Sequence, residues 1–346
     1  MASRQKGEGT SRVVEKLRAS VEDGKYYEAH QMYRTVYFRY MSQKRTNEAL
    51  KLVFGGSSLL LKHEQIGSGL DLSLLFVDLM VTEKFPVNDE RLDQIAHLYE
   101  LFGGSHPHEK MRFMNRAIRW TISVVKEEKY GHPRLHQLAA FSCWKEGCYA
   151  TSRQHFLYCD YPSEFATMLV EVSVKKGYPG EYDLFVSQAV LHLLVLQKVT
   201  NARTLFSDYV KQHPAFSSMC HPFKMPLFNF LAMLFLSIER KIVSIYNLIC
   251  KLYQPSLERD PDYQYLLGRI GNSYFGLPLP SEKKGLDAML GACSCTCRSF
   301  LGLLHTRCFC VGNLLQSFLG NDDQEGQGES AASEKDWPDD STVDVD

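Results

Sequence analysis

The chain has 346 residues, 45% hydrophobic and 12% aromatic, which suffices for a large buried core and argues against disorder over most of its length. Its net charge of −1 hides a split: from Asn321 onward ten acidic residues and one lysine give −9, while everything before carries +8. That pattern reads as a mildly basic folded body followed by an acidic, solvated and disordered tail over 321–346.

Residues 1–10 are polar and read as a flexible start, and no apolar segment of the secretory-signal type follows them. From Ser11 onward apolar residues recur at helical spacing. Val13, Val14, Leu17 and Val21 form one stripe, closed by Asp23-Gly24, and Tyr26, Ala29, Tyr33, Val36 or Tyr37, and Tyr40 form the next. Further stripes run through Leu92–Phe102, Met111–Val125, Phe165–Val172 and Ala202–Tyr209. Ile242, Ile245, Ile249 and Leu252 make another, and Tyr263, Leu267, Ile270 and Tyr274 close the array. Leu184–Leu196 and Met225–Ile238 are the longest apolar runs. Both fall short of the ~20 residues of a membrane span and read as buried helices.

The expected breaks are Gly55-Gly56, Gly67-Ser68-Gly69, Gly103-Gly104-Ser105, Gly131-His132-Pro133, Gly177–Gly180, His213-Pro214, His221-Pro222 and Asp260-Pro261. No segment alternates as a strand between hairpin turns. One motif occurs twice. Gly24, Tyr26, Ala29 and Tyr33 share their spacing with Gly147, Tyr149, Ser152 and Phe156. A glycine turn would start a helix whose aromatics share a face, with a small residue admitting a neighbouring helix. Tetratricopeptide-like hairpins use this arrangement. The expected fold is all-α: a right-handed solenoid over residues 11–276, about six to eight helical pairs at ~34–45 residues each.

Sequence chemistry offers no enzyme. There is no phosphate-binding Gly-x-x-x-x-Gly-Lys-[Ser/Thr], no Gly-x-Gly-x-x-Gly after a strand and no Gly-x-Ser-x-Gly. His132 and His136 have i,i+4 spacing but lack a zincin glutamate, and Pro133 suits a helix first turn, so a helix start is preferred to a metal site. Cys143, Cys148, Cys159, Cys220 and Cys250 lie in or beside apolar patterns and read as buried free thiols. Cys293, Cys295, Cys297, Cys308 and Cys310, with His305 among them, could ligate zinc, but their spacing departs from the usual pairs. A weakly structured insertion or palmitoylatable cysteines remain open as alternatives. No metal or other cofactor is expected.

The N-terminal hairpin carries a basic stripe of Arg12, Lys16, Arg18, Lys25, Arg34, Arg39, Lys44 and Arg45. It suits a solvated face, an acidic protein partner or nucleic acid. An RNA-binding helical-repeat protein is therefore the alternative reading of the chain.

Several long blocks in order give a specific resemblance: Lys16–Ser20, Tyr26–Thr35, Phe38–Ser42, Gly131–Leu138, Trp144–Glu146, Met168–Glu171, Tyr253–Pro261 and Gly271–Gly276. The chain resembles the Golgi-to-ER traffic protein 4 family over about residues 12–290, resuming at Gly312–Gly320. The resemblance implies a cytosolic, non-catalytic α-solenoid adaptor that relays tail-anchored membrane proteins, with no membrane insertion of its own. It implies an N-terminal half docking the targeting ATPase, and a C-terminal half holding a BAG-family scaffold or a ubiquitin-like adaptor. Lys16, Arg34, Arg39, Lys44 and Arg45 then become the candidate ATPase surface, with no nucleic-acid partner expected. The loop 213–226 falls where fungal relatives carry a partner-clamping β-hairpin, and here it is short and contains proline. Within the C-terminal helical segment expected over 277–320, residues 292–311 interrupt the family pattern. The cysteine cluster there is expected to be dispensable, as an alternative or misassigned exon would be.

Overall fold

The computed structural model describes residues 15–216 and 224–279, and every described element is helical. In chain order these are α1 (residues 15–22), α2 (Tyr26–Ser42), α3 (Thr46–Lys62), α4 (Ile66–Thr82), α5 (Asp89–Leu101), α6 (Pro107–Val124), α7 (Pro133–Lys145) and α8 (Tyr149–Phe156). There follow α9 (Pro162–Lys176), a single 3-10 turn (Pro179–Glu181), α10 (Tyr182–Val195), α11 (Val199–Gln212), α12 (Pro226–Arg240), α13 (Val243–Leu252), α14 (Gln254–Leu257) and α15 (Asp262–Phe275). The flexible start, the Cys293–Cys310 cluster, the helical segment beyond Leu279 and the acidic tail lie outside the described residues, as do Arg12, Cys220 and the centre of the 213–226 loop.

Between α2 and α12 most helices pack on their sequence neighbours, and the array repeatedly packs on the next helix but one: α3 touches α5, α4 touches α6, α9 touches α11 and α10 touches α12. That nested contact is how stacked hairpins bury a continuous core, and it makes the array a helical solenoid. The last described helix departs from the rule. Helix α15 turns back onto α10, where Tyr274 Oη donates to the Leu194 carbonyl (3.0 Å) and the Arg259 guanidinium grips the fully buried Asp183 (2.7 and 3.1 Å).

The repeated motif forms as the spacing requires. Gly24 (φ 77°) and Gly147 (φ 75°) sit in the left-handed region that only glycine enters freely. Ala29 and Ser152 are fully buried at the helix contacts, and Tyr33 and Phe156 fill the core beside them. The same turn recurs with other residues at the left-handed position: Lys44, Glu64, Lys84, Gln197 and Lys241, with φ of 50–61°. In each, the residue after it donates back across the turn, as Arg45 N does to the Tyr40 carbonyl (2.9 Å) and Lys198 N to that of Leu193 (2.9 Å). Five turns of the solenoid thus lack the glycine that would mark them in the sequence.

Two expected breaks are instead inside helices. Gly55-Gly56 lies mid-way along α3, and Gly67-Ser68-Gly69 is the first turn of α4. A Cβ on Gly56 would stand 2.7 Å from the Tyr33 ring and 3.0 Å from Leu72, so its absence lets α2 and α4 close on α3. The glycines mark tight helix crossing, which reads identically to a turn when only local sequence is considered. The other expected breaks within the described residues do separate helices.

The apolar stripes fill the core as read, apart from individual positions. Leu92, Ile95, Tyr99, Phe102, Met114 and Ile118 are buried, as are Phe228, Leu231, Phe235 and Ile238 of α12. Leu252 is the exception at 68% exposure, because α13 buries Tyr246 and Ile249 and leaves Leu248 and Leu252 on its outer face. Among the thiols, Cys143 and Cys159 are buried and Cys250 half-buried, but Cys148 is exposed. It caps the start of α8, where a side chain points away from the packed face.

Candidate partner-docking surface

Helix α2 is built from a surplus of aromatics. One face, Ala29, Tyr33, Tyr37 and Tyr40, goes into the core. Tyr27, Gln31, Arg34 and Phe38 follow at i, i+4, i+7 and i+11, and so line up on the opposite side. Tyr27 is 74% exposed and Phe38 is 54% exposed. Between them lies Arg34, whose Nη1 reaches both oxygens of Asp71 on α4 (3.0 and 2.9 Å) and whose guanidinium stands 6.0 Å from the Phe38 ring. His30 Nε2 meets the same Asp71 carboxylate at 2.8 Å. Asp71 therefore ties two side chains of α2 to α4 and fixes the face between Tyr27 and Phe38.

The five candidate residues divide by what holds them. Arg34 is engaged with Asp71, and Arg45 pairs with Glu48 while stacking over Tyr40 (4.6 Å). Lys16, Arg39 and Lys44 are exposed, and none has an ion pair among the described residues. Lys44 occupies the left-handed turn residue after α2, and Arg39 lies in the last turn of that helix. Of the wider stripe, Arg18 is exposed and Lys25 pairs loosely with Asp23 (3.8 Å). The exposed aromatics Tyr27 and Phe38 escape a reading by core stripe alone. Their signal was present: α2 has more aromatic positions than one helical face can bury.

The histidines at 132 and 136 do not converge. His132 is the cap of α7, its Nδ1 accepting from Arg134 N (3.2 Å), and Pro133 is the first helical residue. His136 is buried, and its Nδ1 meets that of His155 on α8 at 2.9 Å. Among the described residues no group of three or more His, Cys, Asp or Glu side chains could hold a metal ion. No described helix is long and apolar enough to cross a membrane.

The family model described as Golgi to ER traffic protein 4 matches residues 43–292. The chain belongs to the Golgi to ER traffic protein 4 family. It is 41% identical over 332 residues to the Golgi to ER traffic protein 4 homolog of Xenopus tropicalis, covering 95% of this chain and 94% of the relative. The human homolog is 41% identical over 322 residues, covering 93% and 90% respectively. The crystal structure of C. therm. Get4 superposes with a TM-score of 0.70 at 23% identity, covering 86% of this chain and all of that one. At that identity the superposition speaks for the fold. The family match ends at residue 292, where the cysteine-rich segment begins.

Proposed function

We propose that this member of the Golgi to ER traffic protein 4 family is a non-catalytic adaptor of the cytosol. It hands tail-anchored membrane proteins to their targeting ATPase for insertion into the endoplasmic reticulum. The N-terminal hairpin docks the ATPase, and the C-terminal half holds a BAG-family scaffold or a ubiquitin-like adaptor. The observation that carries the reading is the α2 face: exposed aromatics flank a guanidinium that Asp71 holds in place, with exposed cations at the helix end.

In this reading Lys16, Arg39 and Lys44 steer an acidic partner surface, while Arg34 and Arg45 are partly spent on internal carboxylates. Exposed charges give fast, salt-sensitive association, which suits a transient handover. Tyr27 and Phe38 supply the desolvated contact that charges alone do not. Affinity purification of the tagged full chain tests the proposal. Recovery of the ATPase together with the scaffold or ubiquitin-like protein supports it, and nuclease-sensitive recovery of RNA without them refutes it.

A further inference from the structure

The His136–His155 contact joins α7 to α8 at the middle of the solenoid, and no docking role uses it. His136 Nε2 lies 2.8 Å from the Tyr130 carbonyl, so that nitrogen carries the proton and donates. Its Nδ1 is then a bare acceptor, and the 2.9 Å contact is a hydrogen bond donated by His155 Nδ1–H. Both imidazoles are neutral, and one proton lies between them. Tyr158 covers the pair at 4.9 Å from the His136 ring and is itself stacked on Tyr130 at 5.1 Å.

The groups acting on this pair are unfavourable to added charge. Lys198, at the start of α11, and His132 both repel a proton on His136. Lys198 is itself bonded to Asp160 (3.0 Å), and no carboxylate hydrogen-bonds either ring among the described residues. A first proton creates a buried imidazolium without a counter-ion. A second places two N–H groups against each other at 2.9 Å, and the bond between α7 and α8 cannot survive. Helix α8 has eight residues, too short to persist once detached.

We propose that the His136–His155 pair is an acid-sensitive latch, whose protonation opens the α7–α8 hairpin while the N-terminal helices stay closed. Burial supports the geometry, pushing His136 down to about 4 and His155 well below its ordinary value. Opening then takes up two protons as the pH falls below the unfolded value of about 6.5.

Amide hydrogen exchange on the full chain, corrected for intrinsic rates, tests it. Between pH 7.5 and 5.5 the opening constant of α8 amides should rise about 100-fold, the two-proton limit, with little change in α3. In His136→Gln, whose amide can still donate to Tyr130 and accept from His155, the rise should fall to about tenfold. Ring NMR of histidine-labelled wild-type protein keeps the proposal testable if that variant fails to fold. Both rings should stay neutral at pH 5.5 in the closed state. The proposal is overturned if α3 and α8 open in step, or if either ring titrates near 6.5 in the closed protein.

Discussion

The α1–α2 and α7–α8 hairpins share a spacing motif yet use their histidines in opposite ways. In the first, His30 faces the Asp71 carboxylate that also holds Arg34, at the edge of an exposed aromatic face. In the second, His155 is sealed against another imidazole, with no carboxylate partner among the described residues. The shared letters fix only what the helix contact needs: a left-handed turn residue, a small side chain and a core aromatic. Everything outside those positions is free to become surface or lock.

The core positions should therefore behave alike in the two hairpins. Tyr33→Ala and Phe156→Ala should each cost about 3–5 kcal/mol in urea unfolding, since both rings are buried. A loss at one site below half that at the other would break the equivalence. Next in size is the glycine pair of α3. Gly56→Val should cost about 1–3 kcal/mol through collision with Tyr33 and Leu72. Gly55→Ala, with nothing within 4 Å of the added Cβ, should stabilise by about 0.5–1 kcal/mol. Equal effects at the two glycines would mean that α2 does not close on α3 as described.

The turns give a smaller contrast of opposite sign. Gly147→Ala should destabilise by about 1 kcal/mol because its φ of 75° penalises a Cβ, whereas Lys44→Gly should relieve part of the same penalty. Thermal melts of both variants decide whether the two turns share one backbone conformation.

Acid should separate the regions as well. For His136 and His192 burial depresses the folded-state values to about 4, and for His155 it lowers the value well below the ordinary one, so their contribution is complete above about 6.5 and drains away as the pH falls through the folded-state values. Glu171 is held down to about 2 by bonds from Lys175, Trp144 and Tyr149, so its share persists above its unfolded value and is lost only below it. A pH titration of stability should show the histidine loss first and the carboxylate loss second. A single loss below pH 4.5 would contradict the burial of the histidines.

Much of this architecture is legible in the letters, because helical periodicity and the two glycine turns are local signals. The stripe Phe228, Leu231, Phe235 and Ile238 and the helix start at Pro133 read correctly for that reason. What escapes depends on distant partners. Glycine is ambiguous between turn and close crossing, so Gly55-Gly56 misled, and turns built on Lys44, Glu64, Lys84, Gln197 and Lys241 carry no local mark. His136 finds its partner 19 residues on, across a turn, where i,i+4 spacing to His132 could not point. For the docking surface, charge could be read but not the availability of Arg34, which Asp71 reaches from another helix; the Arg45 pairing with Glu48, three residues on, is a local spacing.

The central claim is that the outer face of the N-terminal hairpin receives the ATPase. Association kinetics of the full chain carrying Lys16→Glu, Arg39→Glu and Lys44→Glu test it most directly, with Arg34 and Arg45 left in place to preserve their internal pairs. The account predicts at least about a tenfold slower on-rate at low salt, shrinking as salt rises, with thermal stability unchanged. An on-rate equal to wild type at every ionic strength would contradict it.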